Sequence, residues 1–205
     1  MRLYCCSLIS WNQKTILAYA DTLQAALRKL DNSAIKGWII DLRENTGGNQ
    51  DPMIAGLGPI FSAEKLGSLV DVNNKSNAWY YKNGKYFWDD DTGFAVTNPV
   101  TLRAKLPIAV LTSNKVGSSG EIVVISFIGN ARTRSFGQPT MGLTSGNGSF
   151  DLADGSKLYI ASTIMADRNG KQYTGSVMPD VKIDNTIVAG KDMVMKAAID
   201  WIRSQ

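Results

Sequence analysis

Two segments of this 205-residue chain combine residue types and spacings that can do chemistry. The first is Leu111-Thr-Ser-Asn-Lys-Val-Gly-Ser-Ser-Gly-Glu121, read as strand, loop and helix start. Ser118 and Ser119 fall at the predicted helix N-terminus, where free N–H groups and the helix dipole favour negative charge. Ser118 is thus a candidate nucleophile, and the Ser119 N–H a candidate oxyanion donor. Ser118 with Glu121 three residues on also reads as a capping box, which needs no chemistry at all. The second segment is Ile39-Ile-Asp-Leu-Arg-Glu-Asn-Thr-Gly-Gly-Asn49. It delivers a buried strand to Gly47 and Gly48, which lack the Cβ that would keep their N–H groups from an anionic oxygen. Two such donors make an oxyanion hole for a tetrahedral intermediate; a plain Gly-Gly turn is the alternative. The Gly-Lys-Ser/Thr ending of a phosphate loop is absent.

What the chain lacks is equally informative: it contains no histidine. No Ser-His-Asp triad, Cys-His dyad or His-ligated zinc can be built from it alone. Proton transfer near neutral pH must use Lys, Glu, Asp or Tyr with a shifted pKa, or a group from another chain. Lys115 is near Ser118 in sequence, but a basic lysine needs dry surroundings. No metal site or cofactor is expected. Adjacent Cys5 and Cys6 suggest two residues of a buried strand, not a disulfide framework. The net charge is +4. Arg132 and Arg134 are the nearest thing to a basic patch, so nucleic-acid binding is disfavoured. No run reaches a membrane span, and the first ten residues lack signal-peptide regions. The strand-like start at Arg2 suggests a fragment or a naturally short chain.

The flanking elements must position these segments. Residues 2–10 read as a strand. Asn12 to Leu30 reads as an amphipathic helix, with Ile16, Ala20, Leu23, Leu27 and Leu30 at spacings of three and four. Lys36–Arg43 suits a buried parallel strand. Pro52 fits the first turn of a helix to about Phe61. Residues 62–105 form an aromatic antiparallel insertion, turning at Asn83-Gly84 between Trp79-Tyr80-Tyr81 and Tyr86-Phe87-Trp88. Strand 107–112, a helix from about 118 to 129, strand 133–136 and a loop at 137–148 follow. A hairpin over 149–166 turns at Asp154-Gly155, Arg168–Lys171 makes another turn, and 186–203 reads as a closing helix. The alternation implies one α/β domain over 1–205 with a largely parallel sheet.

Four motifs together resemble the C-terminal processing (tail-specific) serine peptidases, whose relatives include the tricorn core and the interphotoreceptor retinoid-binding protein repeats. Asp41-Leu-Arg-Glu-Asn-Thr-Gly-Gly48 is similar to the family's Asp-x-Arg-x-Asn-x-Gly-Gly. The Ser118 segment resembles its nucleophile motif, Gly137-Gln-Pro-Thr-Met-Gly142 its Gly-x-x-Thr-x-Gly loop, and Met178-Pro-Asp180 the Pro-Asp before its last strand. The resemblance implies a Clp protease/crotonase-like core of stacked ββα units. It puts the nucleophile on Ser118 and the oxyanion donors on the backbone of Gly47 or Gly48 and of Ser119. It also implies a peptide or protein substrate and a location outside the cytoplasm.

The chain departs from the family where a base belongs. Leu143 occupies the place of the dyad lysine, and Thr174 the approximate place of the tricorn-type glutamate. The base is then missing: a longer peptidase has been cut before its histidine, the chain is an inactive relative, or a partner chain supplies the base. In each case the isolated chain is expected to show weak or no proteolysis. Two other readings compete. One is a non-catalytic module that binds a peptide or apolar ligand, lined by the aromatics of 79–88. The weaker one is a crotonase-type acyl-CoA enzyme with Glu121 as its catalytic carboxylate.

Overall fold

The computed structural model describes residues 13–89 and 91–205. In chain order these form α1 (Gln13–Leu30), β1 (Trp38–Asp41), α2 (Gln50–Leu57), β2 (Lys65–Asp71), β3 (Ser76–Lys82), β4 (Lys85–Trp88) and β5 (Asp91–Ala95). Then come β6 (Ile108–Thr112), α3 (Ser119–Phe127), β7 (Thr133–Gly137), β8 (Ser145–Asp151) and β9 (Lys157–Asp167). The chain closes with β10 (Gln172–Tyr173), β11 (Val181–Lys182), β12 (Ile187–Val188), β13 (Lys191–Asp192) and α4 (Met193–Arg203). The strand expected at 2–10, with Cys5 and Cys6, lies outside the described residues.

A parallel sheet has the order β1-β6-β7-β11. Its central strand β6 is buried on both faces. Ile108 and Val110 enter the main core, while Ala109 and Leu111 meet Val194 and Ala198 of α4 on the opposite face. That two-sided burial accounts for the uninterrupted apolar run in the sequence.

The larger sheet is antiparallel, which the strand–helix alternation did not convey. Its order is β10-β9-β2-β3-β4-β5, with β8 beside β9. Tight turns impose this arrangement, because antiparallel neighbours can be joined by two residues and parallel ones cannot. Asn83 and Gly84 carry positive φ values of 48° and 85°, as a type I′ hairpin requires. Of the aromatics beside that turn, Trp79, Tyr81 and Tyr86 are buried, and Tyr80, Phe87 and Trp88 are half-buried. Trp79 and Tyr86 are fully buried, so they do not line an open ligand groove.

α3 lies between the two sheets, and all nine of its residues are buried. The indole N–H of Trp79 on β3 donates to Ser126 Oγ at 2.9 Å, tying the helix to the antiparallel sheet. α1 packs on α2 through the buried Gln24, whose amide donates to the Ala55 carbonyl at 2.8 Å and the Tyr81 hydroxyl at 3.0 Å. The closing helix is shorter than its sequence pattern suggested. Residues 187–192 form a β12–β13 hairpin, and Asp192 then caps α4 by accepting from the Met195 N–H at 3.0 Å. Among the described residues no helix is long and apolar enough to cross a membrane.

Trp79→Phe removes buried volume and the bond to Ser126 together. It is expected to cost about 2–3 kcal/mol, read as a lowered denaturation midpoint at unchanged m-value.

Candidate active site

β1 and β6 are parallel neighbours in register, Asp41 opposite Leu111. The loops that follow them therefore leave the same end of the sheet side by side, where open α/β sheets place ligands. Backbone and hydroxyl hydrogen bonds join the loops. Ser113 Oγ donates to the Arg43 carbonyl at 2.5 Å. The Gly117 N–H donates to the Asn45 carbonyl at 3.3 Å, and Ser119 Oγ donates to the Gly48 carbonyl at 2.6 Å. Contact is close enough to dictate glycine at two positions. A Cβ on Gly47, whose φ is +117°, would lie 2.9 Å from the Gly117 carbonyl and 3.0 Å from Ser118 Cβ. One on Gly120 would lie 2.5 Å from the Asn45 carbonyl.

Ser118 precedes α3 with φ 51° and ψ −122°. A side chain rarely adopts this conformation; it costs roughly 1–3 kcal/mol and persists only where neighbours fix it. The fixing group is Glu121, which is fully buried. Its Oε2 accepts the Ser118 N–H at 3.0 Å, and its Oε1 accepts Thr140 Oγ–H at 2.5 Å and the Gly142 N–H at 2.8 Å. The capping box expected of Ser118 and Glu121 is thus formed, and the Glu121 N–H also donates to the Ser118 carbonyl at 2.8 Å.

The Gly47 N–H is committed to Asn45 Oδ1 at 3.1 Å. The N–H groups of Gly48 and Ser119 have no hydrogen-bond partner among the described residues. Ser118, Ser119, Gly47 and Gly48 are therefore brought together. Met141 and Leu143 flank them, both about half exposed, with Met141 Sδ 3.3 Å and Leu143 Cδ1 3.4 Å from a Cβ built on Gly117. Lys115 points elsewhere: its Nζ pairs with Glu44 at 2.8 Å, and both side chains are exposed. Thr174 lines a cavity beside Phe127 and Ile128, at the other end of α3.

Sequence reasoning gave no role to Asn45, Ser113 or Arg43. Arg43 grips both oxygens of Asp41, each at 2.9 Å, and meets Asp192 at 2.7 Å. Hydrogen bonding to Asp41, against the effect of burial and with help from Asp192, holds the guanidinium pKa above its usual value. Burial alone would raise the pKa of Asp192. The Met195 N–H and Arg43 outweigh burial and lower it. The N-terminus of α4 is thereby anchored to the glycine loop.

Residues 7–183 match the model of Peptidase family S41. The chain belongs to that family. The nisin-resistance protein of Lactococcus lactis subsp. lactis is 34% identical over 188 residues, which are 91% of this chain and 55% of that protein. The structure of a lipoprotein from Streptococcus agalactiae superposes with a TM-score of 0.76 at 28% identity, covering 99% of this chain and 65% of that one. The photosystem II D1 C-terminal processing protease shares the fold, with a TM-score of 0.63 at 19% identity over 93% of this chain and 43% of that one. The S41 domain described here thus spans little more than half of its curated relative. Its α/β architecture is the one seen in C-terminal processing proteases.

Two outcomes test how this S41 site is held. Glu121→Gln turns an amide N–H toward a buried donor and is expected to cost about 2–4 kcal/mol of stability, read by chemical denaturation. A change below about 0.5 kcal/mol would remove Glu121 as the strap. Asp192→Asn keeps the helix cap but loses the ion pair. Because the folded-state pKa of Asp192 is lowered, its contribution is complete above the ordinary value of about 3.9 and disappears as pH falls through the folded value. The stability gap between wild type and Asp192→Asn should be full near neutral pH and close below about pH 4.

Proposed function

We propose that this S41 domain is the core of a serine peptidase that cleaves peptide bonds through an acyl-enzyme on Ser118. The observation that carries the reading is the strained Ser118 backbone at the head of α3, set against two unpaired N–H groups. In this reading Ser118 Oγ attacks the scissile carbonyl and gives up its proton to a general base. The carbonyl oxygen becomes an oxyanion that accepts from Gly48 N–H and Ser119 N–H. Collapse breaks the C–N bond, and the protonated amine departs. Water then attacks the Ser118 ester, releasing the acid and restoring the hydroxyl. Gly47 is left out because Asn45 already occupies its N–H. Lys115 is left out because Glu44 engages its ammonium.

The sequence holds no histidine, so in this reading a further segment or a partner chain supplies the base, and without one the chain is an inactive relative with weak or no proteolysis. The resistance named for the Lactococcus lactis relative makes nisin the first peptide to offer as substrate. That relative and the Streptococcus agalactiae lipoprotein also favour a location at the cell envelope.

The test is labelling by a fluorophosphonate, with the adduct located by mass spectrometry. Wild type should react slowly at Ser118 alone, and Ser118→Ala not at all. Equal labelling of the two, or an adduct at another residue, would overturn the assignment and leave the binding-module reading in its place.

A further inference from the structure

The peptide that carries the Gly48 N–H has no side chain on either flank to restrict it. Its two joints are glycines with φ values of 117° and 108°, in the region that only glycine enters freely. Among the described residues no hydrogen bond holds that peptide directly; it is held through its neighbours. On one side, the Gly47 N–H is anchored by Asn45 Oδ1 at 3.1 Å. On the other, the Gly48 carbonyl is anchored by Ser119 Oγ at 2.6 Å. Asn45 is fully buried and Ser119 nearly so. A serine in the first turn of a helix ordinarily turns its hydroxyl to its own backbone or to water. Ser119 instead reaches a carbonyl 71 residues away in sequence.

We propose that the Ser119 hydroxyl is a positioning group for the oxyanion hole, fixing the Gly47–Gly48 peptide so that the Gly48 N–H and the Ser119 N–H converge on one oxygen. This rests on the reading of Ser118 as nucleophile, and it gives Ser119 two tasks, one by its backbone and one by its side chain. The carbonyl clamp has no direct contact with substrate. Its effect is on the geometry of a donor, and a misplacement of about 1 Å can cost up to about a hundredfold in rate.

Ser113 supplies the comparison. Its hydroxyl stitches the same two loops, but at the Arg43 carbonyl, remote from the glycines. Ser119→Ala keeps the backbone N–H and removes only the clamp; Ser113→Ala removes a bond of the same kind, together with the one its oxygen accepts from the Lys115 N–H, without touching Gly48. The measurements are 15N relaxation of the Gly48 amide and the rate of fluorophosphonate labelling, both well below the melting temperatures. In Ser119→Ala the Gly48 order parameter should fall from about 0.85 toward 0.6, and labelling should slow about tenfold or more. Ser113→Ala should leave both near wild type, even where it lowers the melting temperature as much. If Ser119→Ala does not fold, Ser119→Cys keeps the shape with a weaker donor, and the Gly48 amide should be loosened in it too. An unchanged Gly48 amide, or equal slowing in Ser119→Ala and Ser113→Ala, would overturn the proposal. If wild type does not label at all, the nucleophile reading fails, while the Gly48 amide still decides whether the clamp exists.

Discussion

The Glu121 carboxylate has no solvent exposure and no cation within ion-pair distance among the described residues. Burying such a group costs several kcal/mol unless donors surround it. Here the donors come from separate parts of the chain: the Ser118 amide, the Thr140 hydroxyl and the Gly142 amide. It also lies in the first turn of α3, where the helix dipole favours an anion. One group therefore satisfies its own burial by joining the Ser118 turn to the 137–144 loop. That loop is tied onward, since Thr140 Oγ accepts the Val177 N–H at 2.8 Å and the Thr140 N–H donates to the Val177 carbonyl at 3.1 Å. The unfavourable Ser118 backbone is stable because releasing it would strand these partners.

The same logic extends along α3. Its tail is pinned by the Trp79 bond to Ser126 Oγ and by Arg168, whose Nη2 donates to the Ser126 carbonyl at 2.6 Å. A cation at the C-terminal end of a helix is favoured by the dipole. With both ends fixed and every residue buried, the helix holds Ser118 as a rigid mount. Sites built on rigid elements keep tighter geometry than sites carried by loops alone.

The sequence made local features readable and left long-range pairings hidden. The Asn83-Gly84 turn, the apolar β1 and β6 runs and the amphipathic α1 each follow from signals within a few residues. The division into a parallel and a larger antiparallel sheet does not, because β2 meets β9 across nearly a hundred residues of chain. The site divides in the same way. Ser118, Ser119 and the two glycines are marked by spacing, whereas the roles of Asn45 and Arg43 appear only when Gly117 and Asp192 arrive beside them. The sequence pattern extends the closing helix too far because Thr186–Asp192 has helix-compatible residue types. Ala189 and Gly190, with φ values of 49° and 75°, turn the chain there instead.

The missing histidine fits this division of labour. In the proposed reading, nucleophile and oxyanion donors must agree to within about half an ångström, and Ser118, Ser119 and Gly48 sit on a buried helix and on loops stitched by hydrogen bonds. A general base has the looser requirement of hydrogen-bond reach, directly or through one water. Asn45, Glu121 and Val116 in these segments are fully buried, whereas Met141 and Leu143, which flank Gly117, are about half exposed and cannot move a proton. On the reading of Ser118 as nucleophile, the base is thus the component with the loosest positional demand, and a separate element could carry it without disturbing the rest.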